Sequence, residues 1–184
     1  AALRPVHAKH GPGDRRFTLI HGQFVRQDQL DSLQELQVIP SLFPMHTFYW
    51  GDWYDQIIGP ELAAEISPMR YAIDKGMMPT SHTDAPVALP NLMQVMWATV
   101  NRTSRGGQVM GPGERTTQLE GLKAITIWGA HQHFEDDRKG SLEPGKRADL
   151  VILDRNPVTV DPMTINRIRV LETIKEGATV YRAN

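Results

Sequence analysis

Short apolar runs alternate along the chain with stretches in which leucines recur every three or four residues. Phe17-Thr18-Leu19-Ile20 reads as a short buried strand ending at His21-Gly22-Gln23. Leu30, Leu33 and Leu36 then follow at helical spacing, with Asp28 as the expected N-cap, so 29–37 is predicted as an amphipathic helix. Val38-Ile39-Pro40-Ser41-Leu42-Phe43 is the next strand, and Pro40 argues for an edge or a bulge. An aromatic-rich segment from Met45 to Tyr54 breaks the pattern and is read as a loop. A helical piece over 68–75 follows, with Pro68 near its first turn and Gly76 as its stop. Met77 to Asp84 is the third strand with its loop.

Two further helices are expected, one over about 91–102 and one that opens on the capping box Thr117-x-x-Glu120 and runs to Phe134. A Gly-rich loop from Arg105 to Gly113 separates them. From Gly140 the texture changes. Leu150 to Leu153 and Val170 to Ile174 read as strands, and Glu176-Gly177 is a turn before a hairpin partner at 179–181. Residues 1–16, broken by Pro5, Gly11, Pro12 and Gly13, are expected to be loop. The strand–helix alternation up to residue 139 is the signature of βα units on a parallel sheet, whereas 140–184 reads as a small β module.

Composition narrows the chemistry. A formal net charge of −1 offers no basic field for nucleic acid. No apolar run approaches the roughly 20 residues that cross a bilayer, and the N-terminus has no signal-peptide core. The expected location is therefore cytoplasmic. The 184 residues contain no cysteine, which leaves His, Asp and Glu as the strong metal ligands. The chain starts on Ala1, as a piece of a longer protein would.

The ionisable and aromatic residues gather after the strands: His21, then His46 with Tyr49, Trp50, Trp53 and Tyr54, then His82 and Asp84. In α/β barrels the C-terminal strand ends carry the chemistry. If the third strand persists to residue 84, His82 and Asp84 point the same way. His21 is a metal-ligand candidate, against the competing reading of a hydrogen-bonded loop histidine. Asp84 suits a metal ligand or general base, against a turn aspartate before Pro86. His46 and His82 are open between substrate contact and scaffold, and the aromatic cluster between pocket and hydrophobic plug. His131-x-His133 does not share one helix face and reads as a solvated helix end.

Three segments carry a resemblance to a known family: Phe17 to Gln23, His82 to Val87, and Lys139-Gly140-Ser141-Leu142-Glu143-Pro144-Gly145-Lys146-Arg147-Ala148-Asp149-Leu150-Val151-Ile152-Leu153. Together they resemble the metal-dependent amidohydrolase superfamily, in the branch of N-substituted formamide deformylase-like enzymes. The resemblance implies an α/β fold: the C-terminal part of a (β/α)8 TIM barrel over 1–139, then strands of a small β-sandwich over 140–184. It implies that His21 and Asp84 bind a divalent metal, zinc, as one or two ions. Asp84 would also carry a proton from the attacking water to the leaving amine, while His46, His82, Tyr49 and Trp50 line a pocket for a small-molecule substrate. The implied activity is hydrolysis of amide-type C–N bonds. The family's paired His-x-His at a first strand has no counterpart here, so the chain corresponds to the last third of such an enzyme. Its implied partner is the missing N-terminal part, or another copy. The alternative is a catalytically incomplete piece with a binding or structural role.

Overall fold

The computed structural model describes residues 2–184 as a mixed α/β fold with two three-stranded sheets. The first is parallel: β1 (Thr18–His21), β2 (Ile39–Leu42) and β3 (Thr80–Ser81), in that order. Parallel strands need crossover connections, and helices supply them. Helix α1 (Leu3–His10) precedes β1, and α2 (Gln27–Glu35) links β1 to β2. The helices α3 (Met45–Ile57), α4 (Pro60–Ala64) and α5 (Met69–Asp74) link β2 to β3. Then come α6 (Leu92–Asn101), α7 (Gln118–Ala124) and α8 (Ile127–Gln132). The second sheet is antiparallel: β4 (Leu150–Leu153), β5 (Val170–Lys175) and β6 (Ala178–Arg182).

Several expectations need correction. Part of the predicted N-terminal loop is helix α1. Pro5 falls in its first turn, where a missing N–H costs nothing, and Gly11 (φ 71°) closes it by donating its N–H to the His7 carbonyl. Helix α2 begins one residue before the expected cap: Arg26 is the N-cap, its N–H bonded to the Gln29 side chain, and Asp28 lies inside the first turn. Pro40 sits in the central strand, not at an edge. The Ile39 N–H donates to Phe17 on the β1 side, so the alternation turns the Pro40 nitrogen toward β3. There β3 pairs only from Ser41 onward, so no ladder bond is lost.

The aromatic segment is not a loop but most of the 13-residue helix α3. Its six rings (His46, Phe48, Tyr49, Trp50, Trp53 and Tyr54) mask the apolar periodicity, because aromatic side chains face the core and the surface alike. The third strand stops at Ser81, three residues short of Asp84. The long helix from Thr117 is broken at Thr126 (φ −130°, ψ −98°), in the β-branched run Ile125-Thr126-Ile127. Its capping box forms as expected, Thr117 with Glu120.

Helix α6 is the hub of the core. Val95, Met96, Trp97 and Ala98 pack with Phe43, Met45, Ile165 and Ile168. The Asn91 side chain caps its start by accepting from the N–H groups of Met93 and Gln94. It also ties the two sheets together. The Trp97 indole donates to the Met163 carbonyl (3.2 Å) and the Asn101 amide to that of Pro162 (2.9 Å), on the 3-10 turn before β5. No helix among the described residues is long and apolar enough to cross a membrane.

Candidate metal centre

The C-terminal ends of the three parallel strands bring the sequence candidates together. His21 is the last residue of β1 and takes a left-handed backbone conformation (φ 68°). Asp84 does the same (φ 50°) in the loop after β3. Few non-glycine residues take that conformation, histidine and aspartate more readily than most, and it turns both side chains toward each other here. His82 and Asp84 thus converge through a bent loop rather than by strand alternation. His21 Nδ1 lies 3.2 Å from His82 Nε2, and His21 Nε2 lies 3.8 Å from Asp84 Oδ1. One ligand atom from each of the three residues falls within 4.8 Å of the others.

Phe43, directly after β2, is the floor of this group. Its ring stacks on His82 (centroids 5.3 Å apart, 19° between planes) and meets His46 edge-on at 4.8 Å. His46 and Trp50 share one face of α3 at i and i+4, with ring centroids 5.7 Å apart. The His46 ring lies 6.3 Å from that of His21, and its Nδ1 is 3.3 Å from the buried Ser67 hydroxyl. Tyr49 points to another side of α3, against Phe48 and Trp50. His131 is away from the group, at the end of α8, paired with Asp136 at 3.0 Å. Of the predicted site residues, His21, His82, Asp84, His46 and Trp50 therefore form one neighbourhood, with Tyr49 on its flank.

Burial sets the protonation of two of these histidines. It pushes His46 down to about 4, with the nearby His21 and His82 adding repulsion. His82 is lowered as well, again chiefly by burial and then by His21. Both rings are neutral near pH 7 and keep a lone pair. Two imidazoles and one carboxylate are the donors that borderline cations such as zinc accept. Sequence reasoning missed Phe43 and Ser67. The signal for Phe43 is its position directly after a buried strand, whereas Ser67 leaves no local mark.

A group that could hold a metal ion thus lies at the C-terminal ends of parallel strands, the face on which α/β barrels carry their active sites. The model of the amidohydrolase family matches residues 1–181, and the chain belongs to that family. It is 28% identical over 169 residues to the N-substituted formamide deformylase of Arthrobacter pascens, covering 91% of this chain and 31% of that protein. It is 31% identical over 153 residues to Protein LONG AFTER FAR-RED 3 of Arabidopsis thaliana, covering 82% of this chain and 26% of that one. Among solved structures, an uncharacterised metal-dependent hydrolase of Pyrococcus horikoshii superposes with a TM-score of 0.70 at 25% identity, over 88% of this chain and 32% of that one. The chain thus spans between about a quarter and a third of the length of these relatives.

Proposed function

We propose that this chain is the catalytic-end portion of a metal-dependent hydrolase acting on amide-type C–N bonds of small molecules. The observation that carries the reading is the convergence of His21, His82 and Asp84 at the strand ends. In this reading β1, β2 and β3 are the last strands of a (β/α)8 barrel over 1–139, and β4–β6 belong to a small β-sandwich over 140–184. The family membership and the likeness to a formamide deformylase support the bond type.

His21 and Asp84 would hold a divalent ion, of which zinc suits an imidazole and carboxylate donor pair. His82 stands behind His21, close enough for the His21 Nδ1–H to donate to it and hold Nε2 toward Asp84. When bound, such an ion lowers the pKa of a water toward about 7 and polarises a carbonyl. Asp84 takes the proton of the attacking water on its carboxylate and returns it to the leaving nitrogen. Phe43 and Trp50 exclude water from one side, and His46 and His82 meet the substrate or the groups that hold it.

A second reading rests on a specific observation. Val151 and Ile152, neighbours in β4 and so on opposite faces, are 57% and 45% exposed, as are Val180 (61%) and Tyr181 (51%) in β6. A sheet apolar on both faces fits a piece that works against further protein, either the rest of the same enzyme or a second copy.

Elemental analysis of the purified protein, with calorimetric zinc titration of the wild type and Asp84→Asn, tests the proposal. Stoichiometric uptake that weakens at least about 100-fold in the variant is expected, as loss of a direct ligand costs more than loss of a supporting group. Uptake unaffected by Asp84→Asn would sink the assignment. N-formyl and N-acyl amines are the substrates to screen.

A further inference from the structure

The centre has a second layer, organised by a residue far from it in sequence. Arg102 closes α6 in a left-handed conformation (φ 51°) and is 1% exposed, yet among the described residues its guanidinium forms no salt bridge. It binds five backbone carbonyls instead: Met110 (2.7 Å) and Gly111 (3.1 Å) through Nε, Ser67 (3.1 Å) through Nη1, and Ala64 (3.1 Å) and Ile66 (2.8 Å) through Nη2. A planar fork of donors is suited to that task. Three of the five carbonyls belong to the turn 64–67 between α4 and α5. The other side of the turn is equally tight: a Cβ at Gly111 would lie 1.8 Å from the Ala64 oxygen.

Ser67 is the end of that turn, fully buried and left-handed (φ 49°). Its hydroxyl has one proton and two neighbours. The Phe43 carbonyl, 3.3 Å away, can only accept, so the hydroxyl donates there. That leaves Ser67 Oγ as acceptor for His46 Nδ1 at 3.3 Å, which places the ring proton on Nδ1. His46 Nε2 then carries the lone pair and has no hydrogen-bond partner among the described residues. The ring neighbours His21 and Trp50, so this lone pair belongs to the metal centre's surroundings but not to its three-residue group.

We infer that Ser67, fixed by Arg102, locks His46 as the Nδ1–H tautomer and offers its Nε2 as acceptor for an N–H of the substrate. Ser67 and Arg102 are positioning residues; His46 is the contact. The inference rests on the amide-hydrolase reading for the substrate, but not for the tautomer.

Two-bond proton–nitrogen correlation spectra of the histidine rings in the whole chain test it without metal or turnover. The wild type should show His46 protonated at Nδ1. Ser67→Ala, with folding checked by its melting curve, should shift the tautomer ratio toward Nε2–H by about fivefold, the weight of one hydrogen bond. Ser67→Thr should restore it, and Arg102→Lys should fall between. Titration with an N-formyl amine should move the His46 Nε2 resonance of the wild type. A wild-type ring protonated at Nε2, or a ratio unmoved by Ser67→Ala, would overturn the lock. A correct tautomer with an unmoved Nε2 resonance would overturn the acceptor role. Failure of the hydrolase reading shows separately, as absence of zinc uptake.

Discussion

All four residues of β2 are buried, whereas all five of β6 are exposed. The first strand is central to a parallel sheet whose paired neighbours lie 21 and 39 residues away in sequence, by way of helices. The second is the far half of a hairpin closed by Glu176-Gly177, both left-handed as a tight hairpin turn demands. Left-handed residues occur in both regions, but for different reasons. In the hairpin Gly177 takes that geometry without steric cost, and Glu176 takes it because the two-residue turn requires it. Ser67 is held there by packing and hydrogen bonds from distant segments, whereas His21 and Asp84 belong to residue types that take this conformation more readily than most. Strain sustained by tertiary contacts is found at Ser67, beside the candidate centre, and the locally satisfied sheet carries none of the proposed ligands.

The sharpest way to break the contrast is at Arg102. Arg102→Met removes the donor of five carbonyl hydrogen bonds, three of them buried, and should cost at least about 4 kcal/mol, most of the stability of a domain at the low end of the ordinary range. Circular dichroism during a thermal ramp reads it. Arg182, which reaches Glu172 across the exposed hairpin at 2.8 Å, should by contrast be replaceable by Ala with no measurable change in urea midpoint. A fully folded Arg102→Met variant would show that the turn 64–67 holds itself.

A matched pair of truncations comes next. Leu42→Ala in β2, at 0% exposure, should cost about 3 kcal/mol, and Val180→Ala in β6, at 61%, below about 0.5 kcal/mol. Equal costs in urea titrations would mean that β6 is covered in solution, which would support the partner reading of the second sheet.

The smaller effect is in pH. His46 holds its proton only below about 4 when folded, against an ordinary value near 6.5 once unfolded. The unfolded chain therefore takes up the proton first. This contribution to stability is complete above about 6.5 and declines as pH falls toward 4, by up to about 3 kcal/mol if the shift is fully expressed. His82 acts in the same direction. Urea midpoints at pH 7 and 4.5, in the presence of a chelator, should differ less in His46→Phe than in the wild type. In the hairpin Glu172 is held below the usual carboxylate range by its hydrogen bonds to Thr179 and Arg182, so a hairpin variant that leaves those bonds alone, Val180→Ala, should keep the wild-type slope.

The amino-acid pattern alone placed β1, β2, the hairpin, the Asn91-to-Arg102 helix and the Thr117 capping box, because each is written in contacts a few residues apart. It marked His21, His82 and Asp84 as candidates, because ionisable residues directly after apolar runs stand out. It misread α1, because proline and glycine mark helix ends as well as loops. It misread α3, because a helix rich in rings loses its apolar stripe. The convergence of His21, His82 and Asp84, the floor of Phe43, and the chain from Arg102 through Ser67 to His46 were decided only by the tertiary structure. These depend on where separate segments meet, and a buried arginine bonded to carbonyls from 8 to 38 residues away leaves no periodic trace.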